Sequence, residues 1–505
     1  KDDAQLIFES LNSTGLDLSE ADKIRNFVLM NLDPELQEIY YDDYWNPVER
    51  NTDYKVSDYI RFYLSAMEAK TPAIKKVYPA FRTYTTKKFH DPDGGVLSLD
   101  TKALFEELLN YSKHYKTCIH PNTGVKSIDS ALEAVRVFDA SVTRPYLLNL
   151  LEYRAQGDID DDSVSAVLWT IDSYLFRRWA CGVPANALNK VFETLHGDVL
   201  KGVSDGADYA EVVKYVLTHK SGTGRFPDNE EFLYALDTRD FYRIQNRKLY
   251  LYDRLENGSS EERVSVVKGL EEGSFSVEHV MPQTLNAQWK ETLGDDWERI
   301  HEEWRHKMAN PTVTAYNSDY SNRPVEQKRE MKDGFRSSGF RMNHWIGQQE
   351  TWGEEQLRER ERMLEEQFLE TWPLPKSSYE PSKALPEVAE LDSDTEFTGR
   401  RIAAFSFKGV RYVATQWNDM MAKVLQLVYE LEPAKIHSLV DGSNYPGTAF
   451  CSTESAGHSK IANGVYARTA SSTAAKIDLL KCVFDICEID ASELSFEMPL
   501  DASEE

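Results

Sequence analysis

The residues best suited to chemistry are Glu278 and His279, in the run Glu278-His279-Val280-Met281-Pro282-Gln283. An acid followed by a histidine at the end of a strand points two polar groups toward one loop mouth. Further along, MANPTVTAYNSDYSNRPVEQK supplies Asn310, Asn317, Asn322, Arg323 and Lys328. An imidazole that titrates near neutrality can take a proton from water. Carboxylate and amide oxygens suit a Mg²⁺ or Mn²⁺ ion that keeps several waters. A lysine or arginine at the start of a helix can contact phosphate. Phosphodiester hydrolysis needs these parts: a base for water and a hard divalent cation for the charge on the leaving oxygen. The plainer alternative is that a Glu-His pair caps a helix or sits on a surface. NSDYSN is likewise good turn sequence.

These residues need elements to hold them. Phe275 and Val277 alternate with Ser276 and Glu278, which predicts a strand. Pro311 to Tyr316 predicts a second strand, and a helix carrying Val325, Lys328, Met331 and Lys332 is expected after Pro324. The expected order is strand, loop, strand, helix. His301 and His306, in the charged helical stretch ERIHEEWRHK, read as surface residues; His344 beside Trp345 reads as a packed one. Thr351 and Glu354 form a capping-box pattern ahead of a long charged helix with Leu357, Leu364 and Phe368 on a narrow apolar seam.

Upstream, Ser19 with Asp22 is a near-capping box for a helix whose face carries Ala21, Ile24, Phe27 and Val28. Helical stripes follow: Ile60, Tyr63, Leu64 and Met67; Leu104, Phe105, Leu108, Leu109 and Tyr115; and Val164, Val167, Leu168, Ile171, Tyr174 and Leu175, the last capped by Ser163. They predict a helix-bundle core. The texture changes near Gly222. After Trp372, a proline-rich stretch reads as a linker. From Thr395 a small α/β domain is expected, with a hairpin turning at Gly409 and helices after Asn418 and Ser472.

The chain has 505 residues with 84 Asp plus Glu against 58 Lys plus Arg, a net charge of −26. That argues against a nucleic-acid binder acting through bulk charge. It leaves room for a local basic groove, because Ser318 to Arg341 holds six basic residues against four acids. Hydrophobic residues at 41% exclude a disordered chain. The five cysteines are irregularly spaced without a CxxC, so neither a disulfide framework nor a zinc knuckle is encoded, and a reducing cytoplasm is expected. No apolar run is long enough to span a membrane and no signal peptide is recognised. The start at Lys1 reads like the tail part of a longer protein.

EHVMPQTL followed by NPTVTAYNSDYSNRPVEQK resembles the nuclease domain of GmrSD-type, modification-dependent restriction enzymes. That domain is of the ββα-metal, or His-Me finger (HNH), kind. The family shows an EHIxPQ-like first motif and a second element in the style GNLTL…N…SN…F..K. Here Ala309-Asn310-Pro311 replaces Gly-Asn-Leu and Val325 stands at the Phe position; neither change removes a polar functional group. FESLNSTGLDLSEADKIRN resembles the distal part of the ParB-like N-terminal domain of the same enzymes, although its Asp-Gly-Gln-Gln-Arg hallmark does not occur in this chain. DYWNPVE and IRFYL are weaker matches, and the C-terminal block resembles a small domain appended to some members.

The resemblance implies a mainly α fold with α+β parts. Residues 1–30 would be the remnant of the nucleotide-binding sensor domain and 31–222 a helical domain. Residues 223–373 would be the nuclease domain with its long helix, 374–394 a linker and 395–505 a small α/β domain. His279 would be the general base and Asn310 would hold its loop. Asn317 and Asn322 would ligate Mg²⁺ or Mn²⁺ or brace the metal loop. Glu278 would add a ligand or orient the site. Arg323 and Lys328 would contact phosphate. Asn12, Ser13, Thr14 and Gly15 would remain of a nucleotide site, with a nucleoside triphosphate used by the full-length protein; as a mere tight turn they are equally well explained. The implied function is a cytoplasmic, metal-dependent endonuclease of a prokaryotic defence system. Its partner would be DNA, modified DNA in particular; a homo-oligomer stays open. The alternatives are a catalytically inactive DNA- or nucleotide-sensing subunit and, more weakly, a helical interaction scaffold.

Overall fold

A computed structural model describes residues 18–30, 32–89, 99–138, 141–204, 206–243, 247–258, 260, 262–381, 387–393 and 395–499. Asn12, Ser13, Thr14 and Gly15 lie outside the described residues. The chain divides into two units, Lys1–His219 with Arg225–Ser378, and Lys220–Gly224 with Tyr379–Glu505. Helices dominate, with small antiparallel sheets.

The first described helix of the larger unit is Glu20–Leu29, where Ser19 caps the end by accepting from the Asp22 N–H at 3.1 Å. Ile24, Phe27 and Val28 enter a core shared with Trp45, Tyr59, Tyr63, Leu104, Phe105 and Leu108. Its polar tips are satisfied: the Tyr59 hydroxyl donates to the Leu108 carbonyl and the Tyr63 hydroxyl to Glu107, both at 2.6 Å.

The helix Asp161–Ala180 differs from its expected amphipathic form. Asp160, not Ser163, is the cap, accepting from the Ser163 N–H at 2.7 Å. The apolar stripe is buried, and so are Asp172, Ser173, Arg177 and Arg178 on the other sides. Residues beyond 222 cover that polar face. Arg177 donates to the Trp372 carbonyl at 2.7 Å and to Asn229 at 2.8 Å, Ser173 donates to the Pro373 carbonyl at 2.6 Å, and Phe176 stacks on Trp372 at 3.6 Å. The texture change near Gly222 therefore marks no break in packing: helical part and candidate nuclease part share one interior.

Two strands carry the motif residues, β1 (Ser276–His279) and β2 (Pro311–Thr314). They pair antiparallel, with Glu278 opposite Thr312 and His279 opposite Pro311. The expected loop between them contains two helices, Ala287–Leu293 and Trp297–Trp304, whose Trp289, Ile300 and Trp304 build a local core with Val280 and Met281. After β2 come a turn of helix, Asn317–Tyr320, and the helix Val325–Glu330. The long helix Glu354–Thr371 starts two residues later than its capping pattern suggested: Gly353 is the cap residue, and its N–H donates to Gln356 at 3.0 Å. Leu357, Leu364 and Phe368 are buried as the seam predicts, and Arg360 is buried with them.

The smaller unit has a four-stranded antiparallel sheet ordered β3–β9–β4–β5 and a three-stranded one ordered β6–β8–β7. The strands are β3 (Glu387–Glu390), β4 (Ala404–Phe407), β5 (Val410–Val413), β6 (Phe450–Cys451), β7 (His458–Ala462), β8 (Val465–Arg468) and β9 (Leu494–Met498). The expected hairpin is β4–β5; Lys408 and Gly409, with φ of +50° and +77°, make the tight turn that fits strand twist. β3 lies inside the stretch read as linker: residues 387–390 pair with β9 instead. Helices Trp417–Leu431 and Thr473–Cys487 bury Met421, Val424, Leu480 and Phe484 in this unit's own core.

Candidate active site

β1 ends by placing Glu278 and His279 side by side, both buried. Strand alternation would send them to opposite sides, and their partners differ accordingly. Glu278 faces the helix Val325–Glu330, where the fully buried Lys328 binds its carboxylate at 2.5 Å. Lys328 also donates to the carbonyls of His279 and Val280, each at 3.1 Å. Burial pushes the Glu278 carboxyl above its ordinary value and the Lys328 ammonium below its own, while their mutual contact opposes both shifts. All three ammonium donors have partners inside the protein. The phosphate contact expected of Lys328 is thus replaced by a structural one: it pins the helix to the end of β1.

His279 is 5% exposed. Its ring stands edge-on to Tyr242, with centroids 4.3 Å apart. Nε2 lies 3.3 Å from Nδ1 of His306, and Nδ1 lies 3.4 Å from the Gln283 amide. The Arg305 Nε–H donates to Nε2 of His306 at 3.1 Å, so a neutral His306 carries its proton on Nδ1 and offers it to His279. Burial first, then His306, Lys248, Lys328 and Arg305, push the His279 imidazole down to about 3.

The loop after β1 is held from beneath. Asn310 is fully buried; its carbonyl accepts from the Met281 N–H at 2.7 Å, and its amide donates to the Met281 carbonyl at 2.8 Å and the Arg305 carbonyl at 3.0 Å. His301 reaches the Pro282 carbonyl at 2.9 Å.

His279, Glu278, Asn317 and Asn322 line one cleft of about 300 Å³, together with Tyr242, Gln283 and Ser321. Asn317 donates to the Val277 carbonyl at 3.2 Å, which leaves its own carbonyl oxygen to accept or to ligate. Ser321, with φ of +41°, reverses the chain between the two asparagines. That conformation is rare without glycine and costs on the order of 1 kcal/mol. Asn286 holds the Asn322 carbonyl at 2.8 Å and the Trp289 indole holds the Arg323 carbonyl at 3.2 Å. Arg323 is exposed.

Sequence reading placed His301 and His306 on the surface; both are half-buried and attached to the motif loop or to His279. His344, expected to be packed, is exposed. Tyr242 was missed because nothing local marks it. Gln283 stood within the first motif without a role.

Among the described residues, no group of three or more His, Cys, Asp or Glu comes together that could hold a metal ion. Among the described residues, the cleft offers amide and hydroxyl oxygens and a neutral imidazole, and its one carboxylate, Glu278, is engaged by Lys328. Such a set fits a divalent cation that keeps most of its waters and finds its charge partner in a substrate phosphate.

A strand pair and a helix thus present a neutral imidazole and amide oxygens to one small polar cleft, an arrangement suited to hydrolysis. Residues 226–367, which contain this entire cleft, match the model of a family described as GmrSD restriction endonucleases, C-terminal domain. The match supports a restriction endonuclease of a defence system, and with it DNA as substrate. No curated protein matches the chain. No described helix is long and apolar enough to cross a membrane.

Proposed function

We propose that the chain is a metal-dependent endodeoxyribonuclease of a modification-dependent restriction system, with a His-Me finger site around His279. The observation that carries this reading is the single cleft lined by His279, Asn317 and Asn322 within the family-matched stretch. His279 takes a proton from the attacking water. Its acceptor nitrogen faces His306 in the free protein, so water must take over that 3.3 Å contact. The approaching phosphate is anionic and raises the basicity of an imidazole otherwise depressed by burial first, then by His306, Lys248, Lys328 and Arg305. Asn317 and Asn322 would offer amide oxygens to a hydrated Mg²⁺ or Mn²⁺, which would supply stabilisation of charge on the leaving oxygen. Arg323 contacts phosphate from the rim. Glu278, neutralised by Lys328, orients β1, and Asn310 keeps the Met281 turn in place.

Neutral ligands make cation binding depend on DNA. Mn²⁺ titrated into the free protein should bind weakly, and more tightly with a non-cleavable DNA phosphorothioate present. Asn317→Ala with Asn322→Ala should weaken that DNA-dependent binding by about tenfold or more. Equal Mn²⁺ binding by the double variant would remove both asparagines from the metal site. The second reading, an inactive sensing subunit, is favoured by one observation: the His279 acceptor nitrogen is already engaged by His306. It predicts no DNA-dependent Mn²⁺ binding at all.

A further inference from the structure

A second cavity, of about 1160 Å³, lies in the larger unit. We infer that it binds a run of phosphates and that its wall transmits occupancy to β2. Among the described residues, six basic side chains line it, Lys126, Lys214, Arg254, Arg263, Arg341 and Lys376, against the acids Glu256 and Glu370. The chain as a whole carries −26, so this local excess runs against the overall composition.

Two features favour an anion of phosphate type. Lys126 and Ser127 open the helix Lys126–Val137, whose preceding residue, Val125, gives no side-chain cap. The positive end of that helix therefore faces the cavity without a built-in acceptor from the cap position. Arg254 is 5% exposed, and its Nε has no hydrogen-bond partner. Its guanidinium lies over the Trp169 ring at 4.5 Å, and the Asp172 carboxylate stands off at 3.5 Å. Its Nη1 reaches the Gly258 carbonyl at 3.4 Å, so both terminal contacts are long ones that a phosphate at the cavity wall can replace. Forked guanidinium donors suit phosphate oxygens, and the volume holds more than one phosphate. Lys214 and Arg263 now pair with Glu211 at 2.6 Å and Asp253 at 3.4 Å, contacts a more highly charged ligand can displace.

The wall continues to the candidate active site. The buried Glu256 accepts from the N–H groups of Arg341 and Met342 at 2.8 and 3.0 Å. The next residue, Asn343, is buried against β2: it accepts from the Thr312 hydroxyl at 2.5 Å and donates to the Val313 carbonyl at 2.9 Å. Thr312 lies opposite Glu278 in the strand register. A ligand that draws on Arg341 therefore acts on the segment that grips β2.

The test is calorimetric titration of the full chain with sodium tripolyphosphate and, separately, with a short single-stranded oligonucleotide. At least one should bind, and Lys126→Ala with Lys376→Ala, both exposed positions, should weaken binding by about tenfold. Binding of tripolyphosphate assigns a free phosphate ligand; binding of the oligonucleotide alone assigns a nucleic-acid strand. Amide exchange at 341–343 and in β2 should slow on binding. No binding of either probe at millimolar concentration, or equal binding by the double variant, would overturn the site. Binding without slower exchange would overturn its link to β2.

Discussion

Burial and the nearby Lys248, Lys328 and Arg305 disfavour a charged His279, whose imidazole is pushed down to about 3. In the unfolded chain the same ring titrates near its ordinary value, about 6.5. Between those values the unfolded chain binds more protons, so stability falls as pH falls through this window, by at most about 1.4 kcal/mol per pH unit from this residue. His279→Gln should flatten that slope in urea unfolding measured from pH 7 to pH 5; an unchanged slope would mean that the ring is not buried neutral. The identity of this residue was legible from its motif. Its environment was not, because Tyr242 and His306 reach it from other elements and carry no local signal.

At the scale of elements, Lys328 joins the helix Val325–Glu330 to β1 through Glu278 and two carbonyls. Removing one member of a buried pair leaves an uncompensated charge, at a cost of about 3–5 kcal/mol. Lys328→Met should lower stability by that order in denaturant unfolding, and adding Glu278→Gln should restore part of it. If Lys328 instead served phosphate, the single substitution would weaken DNA binding and leave stability unchanged. Strand, strand and helix were readable here because Pro324 and the alternation around Val277 are strong local signals. Of the two helices between the strands, the second was read as helical from ERIHEEWRHK; the first was not anticipated, although Asn286 caps it by accepting from the Trp289 N–H at 3.0 Å. Helix caps were read as the structure has them at Ser19, and the helix expected after Ser472 does begin there. They were misplaced where an aspartate stood three residues earlier, as at Ser163.

On the scale of the whole molecule, the stretches 31–222 and 223–373 share an interior. Composition suggested a boundary near Gly222 because local periodicity cannot show that Arg177 and Phe176 are covered by Trp372, almost two hundred residues away. A fragment of residues 223–373 would expose the faces of Phe368 and Trp372 that Phe176 covers. It should lack a cooperative thermal transition, whereas residues 1–378 should show one in the near-ultraviolet circular dichroism. A cooperative transition in the short fragment would separate the two parts. The smaller unit was legible from its hairpin and helices; β3 was hidden in a proline-rich stretch whose pairing partner, β9, lies at the other end of that unit.

The most direct measurement of the central claim is plasmid nicking with Mg²⁺ or Mn²⁺, using DNA of both modified and unmodified origin. The wild-type chain should convert supercoiled plasmid to open-circular or linear form, and His279→Ala should lose that activity by about a hundredfold or more while keeping its fold. Equal cleavage by the two proteins would contradict the role given to His279.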